Sequence, residues 1–186
     1  FNNVNLDNSD LLGSSFISSD FTKASMKSIN ADSSPYGGLT FRDTILDEAD
    51  FSGANLRGLQ STGGFTISGG SMKLVNLESV SAGLSTFLDT DGSGAVVRSS
   101  SLDSATFKKV KFTSADFTGS SITGSTFEAS DFENAIFTSA NLSNFTLKGG
   151  VFKNANFSSA VIQSANISAV NLEGSNFSNA NLTLSQ

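Results

Sequence analysis

Most of the side chains able to do chemistry in this 186-residue chain are oxygen donors. Asp89, Asp91 and Ser93 present theirs at alternate positions ahead of Gly94. That spacing suits a hard cation such as calcium, which takes oxygen ligands from a sharply turning loop. The position that would supply a closing bidentate carboxylate is Ser100 instead. The expectation is a weak calcium site on Asp89, Asp91 and Ser93, with a glycine-rich polar turn as the alternative. The chain has no His and no Cys. The first absence removes the commonest general base and the usual pH switch, and the second removes disulfides and thiolate metal sites. Serines are abundant, but no imidazole is available to activate one. No catalytic residue is assigned, enzyme activity is not expected, and no cofactor other than calcium is called for. Lys108, Lys109 and Lys111 form a basic cluster too small to read as a nucleic-acid site. The net charge of -6 disfavours nucleic acid and anionic lipid. No apolar run is long enough to insert in a membrane.

The elements that would position these groups follow from a period of five. In the first third, Phe1, Leu6, Leu11, Phe16, Phe21, Met26, Tyr36, Phe41, Leu46, Phe51 and Leu56 share one phase, with Ala31 as a small exception. Around residues 57–66 the phase slips by one. Every fifth residue from Ile67 to Leu182 is then Leu, Ile, Val, Met or Phe, apart from Ala82 and Gly92, whereas Leu88 is the one apolar residue among those immediately following. Of the 17 Phe, all but Phe65 and Phe145 sit at these centres. A period of five matches neither a helix nor an ordinary strand, and it points to an internally repeated solenoid. In such a fold a few inward positions per repeat build a continuous core, so an apolar fraction of 38% suffices.

The residue two before each centre is usually Ala, Ser or Val and the one before is often polar, as in Ala115-Asp116-Phe117, Ala140-Asn141-Leu142, Ala155-Asn156-Phe157 and Ala180-Asn181-Leu182. This pattern resembles the pentapeptide repeat family, with its A-(D/N)-L-x-x consensus, over nearly the whole chain. The resemblance implies an all-β fold, a right-handed quadrilateral β-helix of about nine coils. It would be a single solenoid over 1–186, with a first phase at 1–56, the slip at 57–66 and a second phase at 67–186. Four pentads would make one coil, so every twentieth residue would stack, and the rod would be roughly 40–45 Å long. Phe65, Phe145, Leu39 and Leu59 put bulk where the family has a small residue and are expected to distort the coil. The N-x-S/T triplets at Asn141, Asn144, Asn156, Asn166, Asn176 and Asn181 are read as products of the repeat and carry no glycosylation call. The Asp89 stretch resembles the first eight positions of an EF-hand loop, without flanking helices.

Stacking every twentieth residue also sorts the outward positions. Lys108, Glu128 and Lys148 fall in one column and Glu133, Lys153 and Glu173 in another, so their charges alternate. Two further faces are nearly uncharged: Thr118, Thr138, Ser158 and Ser178 beside Asn156 and Asn176, then Thr123, Ser143, Gln163 and Thr183 beside Asn141 and Asn181. Flat polar faces without charge cost little to desolvate, and these are the candidate docking faces. The expected role is a non-enzymatic interaction protein, a rigid rod that docks on or scaffolds a larger protein assembly, in one version a complex of the photosynthetic membrane. An exported or thylakoid-lumen protein fits the absence of Cys and His, the acidic Ser-rich surface and a start at Phe1; a bacterial cytoplasmic location is the alternative. Resemblance to the fluoroquinolone-resistance members supplies a second reading, an acidic DNA mimic that binds topoisomerase, which the alternating charges oppose. The third is the binding domain of a longer secreted effector or adhesin.

Overall fold

Two inward residues in every five oblige the chain to turn a corner once per repeat. The computed structural model describes residues 1–32, 39–42, 44–61 and 63–186. In it the corner follows each centre, and the residue two beyond the centre takes positive φ, as at Ser99 (φ 53), Asn134 (φ 59) and Gly124 (φ 68). Such a corner suits Gly and Asn and suits β-branched residues poorly, which is why small polar residues recur at that position. Leu74 and Leu84 also adopt this conformation, with φ of 55 and 65, and both side chains are largely exposed. Three corners of a coil close with a hydrogen bond three residues long, as from Ala115 N to Phe112 O (3.1 Å), Ser120 N to Phe117 O (3.1 Å) and Ser125 N to Ile122 O (3.3 Å). From Thr66 onward the fourth corner lacks this bond and is preceded or spanned by a short strand, whereas the two strands before Thr66 sit in the column that continues to Gln60 and Ser81.

Those strands are β1 (Ser15–Ile17), β2 (Thr40–Arg42), β3 (Thr66–Ser68), β4 (Thr86–Leu88), β5 (Thr106–Lys108), β6 (Thr126–Asp131), β7 (Thr146–Val151) and β8 (Asn166–Asn171). All the pairings are parallel: β1 with β2, and β3 through β8 in sequence order. Single bridges tie the other faces together. One column runs Asn5, Ser25, Asp50, Ser71, Asp91, Lys111, Asp131, Val151, Asn171, one residue from each successive coil. The fold is an all-β parallel solenoid with four bridged columns, and no helix occurs among the described residues. Each rung is held on both sides, as where Ile136 N donates to Ala115 O (2.9 Å) and Phe117 N donates to Ile136 O (2.7 Å).

From Thr66 onward one coil is 20 residues long, as Thr66↔Thr86 shows. Two coils nearer the N-terminus are longer. Asp10 still pairs with Asn30, but Ser15 pairs with Thr40, so an extra pentad lies between Asn30 and Thr40. That span includes Tyr36, which lies outside the described residues. Similarly, Thr40 pairs with Gln60 but Ile45 with Thr66, so one surplus residue lies between Gln60 and Thr66.

The core is a stack of phenylalanines. Phe107 and Phe127 lie 4.8 Å apart with rings 7° from parallel, and Phe117–Phe137, Phe132–Phe152 and Phe137–Phe157 each stack at 5.0 Å. Rings of adjacent columns meet edge to face, as Phe127 does Phe132 (5.0 Å, 73°). Leu39, Leu59, Phe65 and Phe145 are all buried. The register runs through Phe145 unbroken, Thr126↔Thr146↔Asn166, because the residues above and below it are the small Ser125 and Ala165. Inward serines replace alanine at little cost because their hydroxyls bond to the main chain. Ser125 Oγ donates to Leu102 O (2.9 Å) and accepts from Ala105 N (3.0 Å), and Ser130 Oγ repeats the arrangement with Phe107 O and Val110 N (3.2 Å each). No buried side-chain nitrogen or oxygen lacks a partner among the described residues, as a dry interior requires.

Candidate functional site

The outward polar residues are built by a local rule. An Asp or Asn just before a centre turns its side-chain oxygen onto the backbone N–H two residues on. Asn156 Oδ1 accepts from Ser158 N (3.0 Å), and Asn176 from Ser178 N (2.9 Å) and Oγ (2.7 Å). On the next face Asn141 accepts from Ser143 N (3.1 Å) and Oγ (2.7 Å), and Asn181 from Thr183 N (3.1 Å) and Oγ1 (2.5 Å). Neighbouring coils are linked as well. Asn176 Nδ2 donates to Asn156 Oδ1 (3.3 Å), and Thr138 and Ser158 hydroxyls lie 3.3 Å apart. The sequence-derived candidates therefore fall in two columns, Asp116↔Ile136↔Asn156↔Asn176 and Ser121↔Asn141↔Val161↔Asn181, flanked by Thr118, Thr138, Ser158, Ser178 and by Thr123, Ser143, Gln163, Thr183. A surface so tied down loses little side-chain freedom on docking.

Two apolar residues inside these columns escape the sequence reading. Ile136 is 37% exposed and Val161 is half-buried, each at a place the repeat gives to a polar residue. The same faces become charged toward the N-terminus. The Thr118 row continues to Arg98, Glu78 and Arg57, where Arg98 pairs with Asp116 (2.6 Å) and Arg57 with Glu78 (3.7 Å) and Asp32 (3.8 Å). The alternating ladders are in register as well, with Lys108↔Glu128↔Lys148. Lys108 pairs with Glu128 at 2.8 Å and Lys153 with Glu173 at 3.5 Å. Each exposed pair contributes under about 1 kcal/mol, but together they break any continuous negative stripe. A further column runs Thr66, Thr86, Thr106, Thr126, Thr146 in parallel register along β3 to β7. Its signal in the sequence is a threonine at every twentieth position from Thr66 to Thr146. Threonine is well suited to such a strand column.

The Asp89 stretch is one ordinary corner and rung of the solenoid. Asp89 is the positive-φ residue (φ 49), and Thr90 is buried and donates to Leu88 O (3.0 Å) and Ile67 O (3.3 Å). Asp91 Oδ1 accepts from Ser93 N (3.1 Å) and Oγ (2.7 Å), while its Oδ2 meets Lys73 (3.1 Å). Lys73 thus occupies the charge-compensating place a cation would take at Asp91. Among the described residues, no three acidic, His or Cys side chains cluster to hold a metal ion. No helix among them is long and apolar enough to cross a membrane.

The aspartates of the repeat make stability pH-dependent. Burial alone would raise the pKa of Asp116, but hydrogen bonds from Thr118 Oγ1 and N and from Arg98 outweigh it and hold the carboxyl below its ordinary value. Asp50 and Asp91 are held down in the same way by Ser52 with Lys27 and by Ser93 with Lys73, against the same opposing burial. A carboxyl whose folded pKa is depressed adds stability above its unfolded value, and that stability disappears as pH falls through the folded value. The thermal midpoint is therefore expected to be flat from about pH 6 to 8 and to fall below about pH 4. Asp116→Asn should make the acid limb shallower. Melting curves across pH check this, and a midpoint that rises on acidification would contradict it.

Two family models described as pentapeptide repeats match the chain, one over residues 1–32, 37–59, 135–174 and 163–185, the other over residues 102–151. Neither match reaches into residues 60–101, where the surplus residue, Ala82 and Gly92 lie. Among solved structures, QnrB1 after trypsin treatment, a plasmid-mediated fluoroquinolone resistance protein, aligns with a TM-score of 0.57 at 16% identity, covering 96% of this chain and 88% of that one. HetL, a pentapeptide repeat protein involved in heterocyst differentiation regulation from the cyanobacterium Nostoc sp. strain PCC 7120, aligns with a TM-score of 0.42 at 19% identity, over 94% of this chain and 87% of that one. The likeness to QnrB1 is one of fold. No curated protein matches the chain.

Proposed function

The chain belongs to the pentapeptide repeat family, and from that premise we propose that it is a non-enzymatic interaction protein, a rigid rod that docks on a larger protein assembly through its uncharged C-terminal faces. The observation that carries this reading is the contrast along a single face. Coils with Arg57, Glu78, Arg98 and Asp116 spend their charges on one another, whereas the coils above present hydroxyls and amides already hydrogen-bonded in a fixed array, with Ile136 among them. Such a surface lacks charges to desolvate, as the core of an interface does. Absence of Cys and His and the acidic, Ser-rich composition support an exported or lumenal location, with a photosynthetic membrane complex as one concrete assembly. The alternative of topoisomerase binding by DNA mimicry finds less support, since Lys27, Lys73, Arg98, Lys108 and Lys153 each neutralise an acid on the rod.

Purification from the source with assemblies intact tests the proposal. The protein is expected to come away in stoichiometric amount with a large complex, and Thr138→Glu with Gln163→Glu to weaken that association about tenfold or more by placing unpaired charge in the interface. Recovery of the unaltered protein alone as a monomer, together with inhibition of topoisomerase supercoiling, would favour DNA mimicry instead. If the protein is one domain of a longer effector or adhesin, the full gene will show the remaining domains.

A further inference from the structure

The surplus residue between Gln60 and Thr66 shifts the phase. At the same corner, before β3, Gly63 and Gly64 line a notch of about 400 Å³. Ile45 and Leu84 form its walls and are 49% and 64% exposed; Phe65, 7% exposed and edge-on to Phe87 at 5.5 Å, is its floor. Gly64 (φ +80) cannot carry a side chain, because a Cβ there would come within 2.6 Å of the Leu84 carbonyl carbon. At Gly63 (φ +86) the space beside the Cα is open.

The corner also interrupts the backbone ladder. In the following coils the matching carbonyl always accepts from the coil below: Asp103 O from Leu84 N (2.9 Å), Thr123 O from Ser104 N (2.8 Å), Ser143 O from Gly124 N (2.9 Å). Among the described residues, neither the Gly63 nor the Gly64 N–H makes the equivalent bond to Gly83 O. Beside the notch, Asp47 lies two residues from Ile45 on the same rung. Its carboxylate has no ion pair among the described residues, whereas its neighbour Glu48 meets Lys23 at 3.7 Å.

We propose that this notch binds an extended segment of a partner protein that carries an aliphatic side chain and, two residues away, a lysine or arginine. An extended segment presents residues i and i+2 on one side about 7 Å apart, and Ile45 and Asp47 are likewise two residues apart in the chain, both lining the notch. The aliphatic group enters between Ile45 and Leu84 over Phe65, the cation meets Asp47, and a main-chain carbonyl of the segment accepts from the free glycine N–H groups. Main-chain bonds would supply affinity and one pocket selectivity, as in other modes of extended-peptide recognition. The negative net charge of the rod favours approach of the basic segment. The notch lies apart from the uncharged C-terminal faces, so it would act as a second point of attachment.

The test is a titration of the full chain, labelled with nitrogen-15, by the capped peptide acetyl-Ser-Leu-Ser-Lys-Ser-amide. Shifts are expected at the amides of Ile45, Asp47, Gly63, Gly64 and Leu84, with a dissociation constant of about 1 mM or tighter. Exchanging Lys for Glu or Leu for Ser in the peptide should weaken binding about tenfold. Asp47→Asn and Leu84→Ser in the protein should each do the same without moving the thermal midpoint by more than about 3 °C. Asp47→Asn decides alone should Leu84→Ser not fold. Absence of shifts at Gly63 and Gly64, equal binding of the Glu peptide, or shifts confined to the Thr118 and Thr123 rows would overturn the proposal.

Discussion

Replacing Gly92 by leucine, the kind of residue the repeat calls for at that position, should destabilise the protein. Gly92 is a centre, stacked between Met72 and Phe112 in its column. Its place is already taken: a Cβ on Gly92 would lie 2.4 Å from Phe112 Cε1, 2.5 Å from Cζ and 2.8 Å from Cδ1. The ring cannot swing away, because Phe87 (6.1 Å, 84°) and Phe107 (5.9 Å, 90°) meet it edge to face and Phe132 stacks on it (5.8 Å, 15°). The φ of Gly92 is not positive, so the cost is steric and not conformational. Overpacking a closed core costs about 1–3 kcal/mol, and leucine should reach the upper end, lowering the thermal midpoint by about 6–12 °C. Gly92→Leu combined with Phe112→Leu should recover much of that loss, since the smaller side chain vacates the layer. Thermal melts of the two variants decide the matter, and a stabilised Gly92→Leu single variant would refute this account of the glycine.

Removal of the Phe132 ring should have the other large effect. Phe132 is fully buried; it stacks on Phe152 (5.0 Å) and Phe112 (5.8 Å) and meets Phe127 (5.0 Å), Phe137 (5.8 Å), Phe117 (5.9 Å) and Phe107 (6.1 Å). Phe132→Ala should cost about 3–5 kcal/mol from lost burial and the cavity left behind. In a solenoid each coil contacts its neighbours alone, so the damage should be local at first. Hydrogen exchange is expected to rise in the coils holding Phe112, Phe132 and Phe152 before it rises elsewhere. Phe177→Ala is the control. That ring is half-buried and stacks on Phe157 at 4.8 Å, and its loss should cost less than half as much. Equal costs at the two sites would mean that ring stacking, and not burial between coils, dominates the core.

Much of this protein could be read from its residues because a five-residue repeat determines locally which side chains face in. A small residue and a large apolar one per pentad, a polar residue between them and a corner-forming residue after them leave the backbone little choice. The inward columns of Phe117, Phe137, Phe157 and Phe177, and the outward ladder of Lys108, Glu128 and Lys148, followed from taking every twentieth residue. The one-residue slip near Gly63 was visible as a break in phase. The extra pentad between Asn30 and Thr40 was not, because an insertion of five preserves a period of five while moving every neighbour across the coil.

What the tertiary structure alone decided are the identities of neighbours between coils. The Asp89 stretch reads locally as a calcium loop, yet Lys73, from the preceding coil, reaches Asp91 at 3.1 Å. Gly92 looks like a lapse in the repeat until Phe112 from the next coil is found leaning over it. Ile45, Gly64 and Leu84 are far apart in sequence and line one notch, at the corner where the register gains one residue. Local sterics and the inward pull of apolar side chains act within a pentad and are written in its composition. Contacts between coils depend on how many residues complete each turn, and that number is settled only when the whole chain closes its corners and finds its hydrogen-bonding register.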